Sequence, residues 1–98
     1  MAFRLSPQAD TDLLDLWAFV AGEAGEERAD ALVDAITDAC WMLSHYPKVG
    51  RLRPEFGPEL RSFPAAGCVI YYRAEDDVLI ARILHGRRDQ TAAWDGAE

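Results

Sequence analysis

Cationic side chains are concentrated in the second half of the chain, and they are the residue types best suited to hold a phosphate or a carboxylate. The set contains seven arginines and two histidines: Arg51, Arg53, Arg61, Arg73, Arg82, Arg87, Arg88, His45 and His85. Arg82 lies in a predicted strand, and side-chain alternation puts it on one face with three apolar residues, Val78, Ile80 and Leu84. An arginine in such a setting needs an anionic partner. The partner is either a bound phosphate or carboxylate, or an acid of the chain such as Asp89 or Glu59.

The two histidines differ in their sequence surroundings. His85 follows the last predicted strand and precedes Gly86, Arg87 and Arg88, so its imidazole is either a general acid or base or a hydrogen-bonded structural group. His45 precedes Tyr46-Pro47 and is predicted to end a helix. The histidines and the two cysteines, Cys40 and Cys68, lack the spacing of a zinc site, so we expect no metal and no cofactor.

Two amphipathic helices precede most of these cations. Ser6-Pro7 predicts a helix start, with serine as the N-cap and proline in the first helical position. Gly22 and Gly25 predict a break, and a second helix is expected over residues 26–44. Trp41 projects toward the acidic side of this second helix, where it is either a packing residue at a bend or an exposed partner contact.

The rest of the chain predicts a sheet. Phe3 and Leu5 form a short N-terminal strand, residues 44–58 form a loop rich in proline and glycine, and three strands follow at residues 59–63, 68–73 and 78–84. We therefore predict an α+β fold, with an antiparallel helical hairpin packed on one face of a small antiparallel β-sheet. Residues 1–98 fit a single domain that ends in a polar tail from about residue 90.

Charge and hydropathy narrow the class of protein. The formal net charge is −7, and residues 1–45 hold nine acids against two bases. This balance disfavours a general nucleic-acid binder, and the acids either line a solvent-exposed helix face or receive a basic partner. Apolar runs are too short to span a bilayer, and two isolated cysteines predict reduced thiols, so we expect a cytoplasmic protein.

The chain resembles the RelE/ParE superfamily of type II toxin–antitoxin toxins over residues 3–90, and most closely its ParE branch. The matching pieces include Arg4-Leu5-Ser6-Pro7-Gln8-Ala9, Leu43-Ser44-His45-Tyr46-Pro47, Leu60-Arg61 and Val69-Ile70-Tyr71-Tyr72-Arg73. The most specific piece is Ile80-Ala81-Arg82-Ile83-Leu84-His85-Gly86-Arg87-Arg88-Asp89. The resemblance implies a plasmid-stabilisation toxin that inhibits DNA gyrase by direct contact, without chemistry of its own. It also implies neutralisation by a ParD-like antitoxin in a hetero-oligomer. The negative net charge adds the expectation of no direct DNA binding by the toxin alone.

Two alternatives remain open. A RelE-like member would cut mRNA in the ribosome, and here His85, Arg82 and Arg61 would be its catalytic residues. The chain has no tyrosine after Tyr72 and no lysine after Lys48, and its net charge is negative; these features favour the gyrase branch. A non-toxic module would only bind the antitoxin and help repress the operon.

Two sets of contact residues follow from the resemblance. The residues expected to contact the target are Arg61, Arg82, His85, Arg87 and Arg88. The residues expected to contact the antitoxin lie on the acidic helical hairpin: Trp17, Asp30, Asp34 and Trp41.

Overall fold

The structure, a computed structural model, describes residues 2–85. The elements in chain order are β1 (Phe3–Leu5), α1 (Pro7–Ala24), α2 (Glu26–His45), β2 (Arg51–Leu52), β3 (Leu60–Ala65), β4 (Cys68–Ala74) and β5 (Val78–His85). The predicted strand, two helices and three later strands are all present, and β2 is an additional short strand inside the predicted loop. The predicted polar tail lies outside the described residues.

Local sequence signals set the ends of both helices. The Oγ atom of Ser6 accepts the Ala9 N–H at 3.0 Å, and Pro7 occupies the first helical position, as predicted. Gly25 separates the helices with a φ of 96°, a conformation that favours glycine, whereas Gly22 lies inside α1 and breaks nothing. His45 is the last residue of α2, which agrees with its predicted position.

The sheet has five strands in the order β1-β5-β4-β3-β2, and the helical hairpin packs on one of its faces. The predicted α+β class is confirmed. The prediction of an all-antiparallel sheet was wrong in one respect, because β1 runs parallel to β5, with Phe3 opposite Val78 and Leu5 opposite Ile80. A parallel pair requires a long crossover connection, and here the two helices and the β2–β4 segment supply it.

A β-bulge changes the side-chain alternation of β5. Tyr71 on β4 pairs with Arg82 while Tyr72 pairs with Ile80, so Ala81 is left without a cross-strand partner on β4. Beyond this point Ile83 joins the core beneath the helices, and Leu84 lies in a separate cluster with Tyr71 and Leu60. The sequence-based placement of Leu84 on one face with Val78 and Ile80 was therefore wrong, since it assumed an uninterrupted strand.

Apolar side chains are buried on both faces of the sheet. Tyr72 belongs to the core beneath the helices and Tyr71 to the cluster on the opposite face, as alternation along β4 predicts. Cys40 and Cys68 are buried, free thiols in the core beneath the helices. Burial raises the pKa of the Cys40 thiol to about 11, so it is protonated and unreactive at neutral pH.

Candidate functional site

Arg82 is held by an acid of α1. Its Nε and Nη2 atoms donate to the two carboxylate oxygens of Asp12 at 2.8 and 3.0 Å, and the Ile83 N–H donates to the same carboxylate at 3.0 Å. The side chains of Arg82 and Asp12 are only 15% and 8% exposed. The hydrogen bond to Asp12 raises the pKa of Arg82, against an opposing effect of burial. The expectation that an acid of the chain pairs with Arg82 is confirmed. The acid is Asp12 and not Glu59, and Asp89 lies outside the described residues.

The short length of β1 explains why Asp12 occupies this position. β1 pairs with β5 only as far as Ile80, so within residues 2–85 the same edge of β5 continues without a strand neighbour. Groups at the start of α1 replace that neighbour: the Ser6 Oγ–H donates to the Ala81 carbonyl at 2.7 Å, and Asp12 accepts from Ile83. Asp12 thus satisfies both the backbone edge of β5 and the Arg82 guanidinium.

His85 lies at the rim of an open cavity of about 780 Å³. The side chain is exposed at the end of β5, and the cavity is lined by residues of α1, β5 and the β3–β4 turn: Asp12, Asp15, Leu16, Phe19, Gly67, Ile83 and His85. Leu16, Phe19 and Ile83 give this cavity an apolar wall, and Asp15 adds an exposed carboxylate. The cavity suits an apolar side chain next to a basic one better than it suits a phosphate.

Arg61 has a different role from Arg82. Its Nη1 atom donates to the carbonyl oxygens of Gly50 at 2.8 Å and Lys48 at 3.3 Å, so it fixes the loop that precedes β2. The Gly50 N–H in turn donates to the Tyr72 hydroxyl at 2.8 Å. Burial raises the pKa of Tyr72, and this hydrogen bond from Gly50 and the charge of Arg61 partly offset the shift.

The structure divides the expected target-contact residues into separate places. Arg82 and His85 are on β5 beside the cavity, while the Arg61 guanidinium contacts the loop at residues 48–50. Arg87 and Arg88 lie outside the described residues. Among the described members of this set, the Arg61 guanidinium therefore has different contacts from Arg82 and His85.

The expected antitoxin-contact residues lie along the helical hairpin. The Trp17 Nε1–H donates to Asp30 at 2.8 Å, which links α1 to α2, and Asp34 is exposed one turn further along α2. Trp41 is 48% exposed, and its ring also meets Phe3 edge-on with centroids 4.8 Å apart. Trp41 is thus partly packed and partly exposed, and its contact with a partner stays a prediction.

One exposed surface was missed by the sequence analysis. Tyr46 and Val49 in the loop that follows α2, and Leu52 in β2, are exposed apolar side chains, and Lys48 and Arg51 are exposed between them in the sequence. The sequence did contain an indication of this surface. The apolar residues between Pro47 and Pro54 lie in a segment where no helix or long strand is predicted to bury them, and lysine and arginine residues alternate with them. The role of Asp12 was also missed, since an acid early in a helix has a sufficient explanation in the helix dipole.

Across residues 2–85, no three potential ligands from histidine, cysteine or the acids come together at one point. Over the same residues, neither helix has the length and hydropathy needed to cross a membrane.

Comparison with known proteins identifies the family. Residues 3–90 match the family model described as the ParE toxin of the type II toxin-antitoxin system, parDE. Toxin ParE3 of Caulobacter vibrioides is 34% identical over 82 residues, which cover 83% of this chain and 82% of the relative. Toxin ParE1 of Mycobacterium tuberculosis is 27% identical over 89 residues, which cover 89% of this chain and 91% of the relative.

A solved structure agrees in fold. A chain from the chromosomal ParDE TA system of P. aeruginosa superposes with a TM-score of 0.74 at 22% identity, covering 87% of this chain and 95% of that one. The shared architecture is the helical hairpin on a five-stranded sheet. With the family match over nearly the whole described region, the chain belongs to the ParE family of toxins from type II toxin–antitoxin systems.

Proposed function

We propose that this toxin arrests growth by binding DNA gyrase in the cytoplasm and that a ParD-like antitoxin neutralises it in a hetero-oligomer. Family membership supports the proposal, and the state of the arginines supports contact inhibition over RNA cleavage. Arg82 donates two hydrogen bonds to the Asp12 carboxylate, and Arg61 donates to the backbone carbonyl oxygens of Gly50 and Lys48. Arginines held in this way stabilise the fold and are poorly placed to stabilise a transition state on a phosphate.

The charge distribution of the chain also favours a protein target over RNA. A ribosome-bound nuclease must approach an RNA surface, where binding energy comes mainly from neutralising phosphates with lysine and arginine. The chain has 17 acids and 10 lysines and arginines, and many of its acids lie exposed on α1 and α2. A protein target tolerates such a charge distribution, because only the contact surface has to be complementary.

The helical hairpin is the proposed docking surface for the antitoxin. Exposed Asp34 and the partly exposed Trp41 offer charge and apolar area, and a surface hydrogen bond from Trp17 to Asp30 joins the two helices. The antitoxin segment that fits this surface is basic and carries apolar anchors.

Expression of the chain alone from a tightly controlled promoter tests the proposal in cells. Growth, the DNA-damage response and bulk mRNA are followed together. Gyrase inhibition predicts arrest with a damage response and intact mRNA, and co-expression of a ParD-like antitoxin restores growth. Arrest with rapid mRNA loss would instead favour the nuclease alternative, and unimpaired growth would favour the non-toxic module.

A further inference from the structure

The loop between α2 and β2 is held in one conformation by contacts to its backbone. We name residues 46–52, which are this loop together with β2, the clamped loop. The Gly50 N–H donates to the Tyr72 hydroxyl, Arg61 donates to the Gly50 carbonyl, and the Val49 N–H donates to the Tyr46 carbonyl at 3.1 Å. Because these bonds use backbone atoms of the loop, the loop's own side chains are left available for contacts with a partner.

The clamped loop displays an unusual amount of apolar surface. Tyr46, Val49 and Leu52 are 66%, 54% and 51% exposed, and they are three of the six large apolar side chains that residues 2–85 leave exposed. Exposed apolar groups concentrated in one short segment indicate an interaction site. A loop that is already ordered loses little conformational entropy on binding, which favours affinity.

The charge of the clamped loop is opposite to that of the rest of the chain. Residues 39–54 contain no acid, although the whole chain carries 17. Lys48 and Arg51 are exposed, and neither forms an ion pair within residues 2–85. The surface is therefore apolar and cationic on a protein of net charge −7, and it complements a partner surface that is apolar and acidic.

We propose that the clamped loop is the surface through which this toxin contacts its protein target, at a patch where carboxylates surround apolar side chains. The inference rests on the proposed function, in which that target is gyrase. Tyr46 and Arg51 are residue types enriched at protein–protein contacts, and Val49 and Leu52 add exposed apolar area in the same segment. Binding to a nucleic-acid backbone depends on more numerous cations and leaves the apolar groups without a role.

Two double variants and one control test the proposal. Val49→Ser with Leu52→Ser removes apolar surface, and Lys48→Glu with Arg51→Glu reverses the charge. Leu14→Ser is the matched control, because Leu14 is 65% exposed on α1, away from the clamped loop. Each protein is compared with the wild type in growth arrest on expression and in inhibition of gyrase supercoiling by the purified chain. Thermal unfolding verifies that each variant keeps its fold, and antitoxin binding provides a second test of the native surface.

We expect each double variant to lose at least tenfold in gyrase inhibition and to relieve growth arrest, while Leu14→Ser behaves as the wild type. If the wild type inhibits gyrase and both folded double variants inhibit it equally well, the clamped loop is not the contact surface and the proposed function stands. If the wild type arrests growth without inhibiting gyrase, the proposed function is wrong. In that case relief of arrest by both variants supports the clamped loop as the surface for another target, and persistent arrest overturns it.

Two further outcomes would also overturn the inference. Loss of activity in the charge-reversed variant alone would show a polyanion site in which the apolar side chains have no part. Equal loss in Leu14→Ser would show that any exposed apolar change weakens the toxin. A wild type that neither arrests growth nor inhibits gyrase would reject the inference together with the proposed function.

Discussion

Asp12 and Arg82, 70 positions apart in the chain, join the first helix to the last strand through two hydrogen bonds of 2.8 and 3.0 Å. The same carboxylate accepts the Ile83 N–H, so Asp12 provides hydrogen-bond acceptors both for the Arg82 guanidinium and for a backbone N–H of β5. The expected active-site arginine of the nuclease alternative is thereby part of the framework. We therefore expect loss of the pair to lower the stability of the fold.

Removal of the Asp12 carboxylate should destabilise the fold strongly. Asp12→Ala leaves Arg82 and the Ile83 N–H largely buried without this acceptor, and breaking such a pair costs about 3 kcal/mol of unfolding free energy. Chemical denaturation measures the change. Asp15→Ala, on the same helix but exposed, is the control and should change the free energy of unfolding by about 0.5 kcal/mol or less. Equal effects of the two substitutions would contradict the role given to Asp12.

Two glycine-to-alanine substitutions should change the free energy of unfolding in opposite directions. A Cβ atom on Gly50 would collide with the Tyr72 hydroxyl and lie 2.9 Å from the Ser62 carbonyl oxygen, so Gly50→Ala should destabilise the chain by about 2 kcal/mol. A Cβ atom on Gly22 would meet nothing within 4 Å inside α1, so Gly22→Ala should stabilise it by about 0.5–1 kcal/mol. Urea denaturation of both variants tests the pair. A neutral Gly50→Ala would mean that the clamped loop is not fixed against Tyr72.

Stability should fall at alkaline pH because Cys40 is buried. Its pKa is raised to about 11 in the folded chain from an ordinary value of 9.0, so the unfolded thiol ionises first. The folded state therefore binds more protons between pH 9 and 11, and the stabilisation present below pH 9 is lost as the pH rises through this window. The two pH units correspond to roughly 2–3 kcal/mol. Cys40→Ala should flatten this part of the stability profile, and an unchanged slope would show that the thiol is not responsible.

Association with a basic antitoxin should depend on Asp34. Asp34→Lys is preferred to a change at Asp30, because Asp30 also accepts the Trp17 Nε1–H and its replacement disturbs the hairpin. We expect slower association at low salt with a smaller difference at high salt, as for a steered encounter. Asp76→Lys in the exposed β4–β5 turn makes the same charge change elsewhere and serves as the control. Identical association rates for the two variants would reject the hairpin as the acidic docking surface.

Toxicity should not require His85. If the toxin acts by contact through the clamped loop, His85→Ala keeps growth arrest and leaves bulk mRNA intact, because the imidazole lies outside that loop and performs no proton transfer; loss of arrest with intact mRNA would instead make His85 part of the target contact. Under the nuclease alternative the same change abolishes both arrest and mRNA loss while antitoxin binding persists. Growth and total mRNA measured in one expression experiment separate the two.

Local signals in the sequence predicted the elements well, whereas long-range pairing was not predictable. Ser6-Pro7 and Gly25 set the helix ends because capping and positive φ are properties of one or two residues. The bulge at Ala81 and the parallel pairing of β1 depend on how distant segments meet. The Asp12–Arg82 pair also depends on such long-range pairing. Because β1 pairs with β5 only as far as Ile80, the next part of β5 can accept contacts from α1. The need for an acid near Arg82 was visible in its apolar surroundings, but its identity was not.

The most direct test of contact inhibition is a supercoiling assay with purified gyrase, relaxed plasmid and ATP. The purified toxin should inhibit supercoiling in proportion to its concentration, and a neutralising antitoxin added first should abolish the effect. His85→Ala should inhibit as well as the wild type. Undiminished supercoiling with an excess of folded toxin, under conditions where expression of the same chain arrests growth, would contradict gyrase as the target.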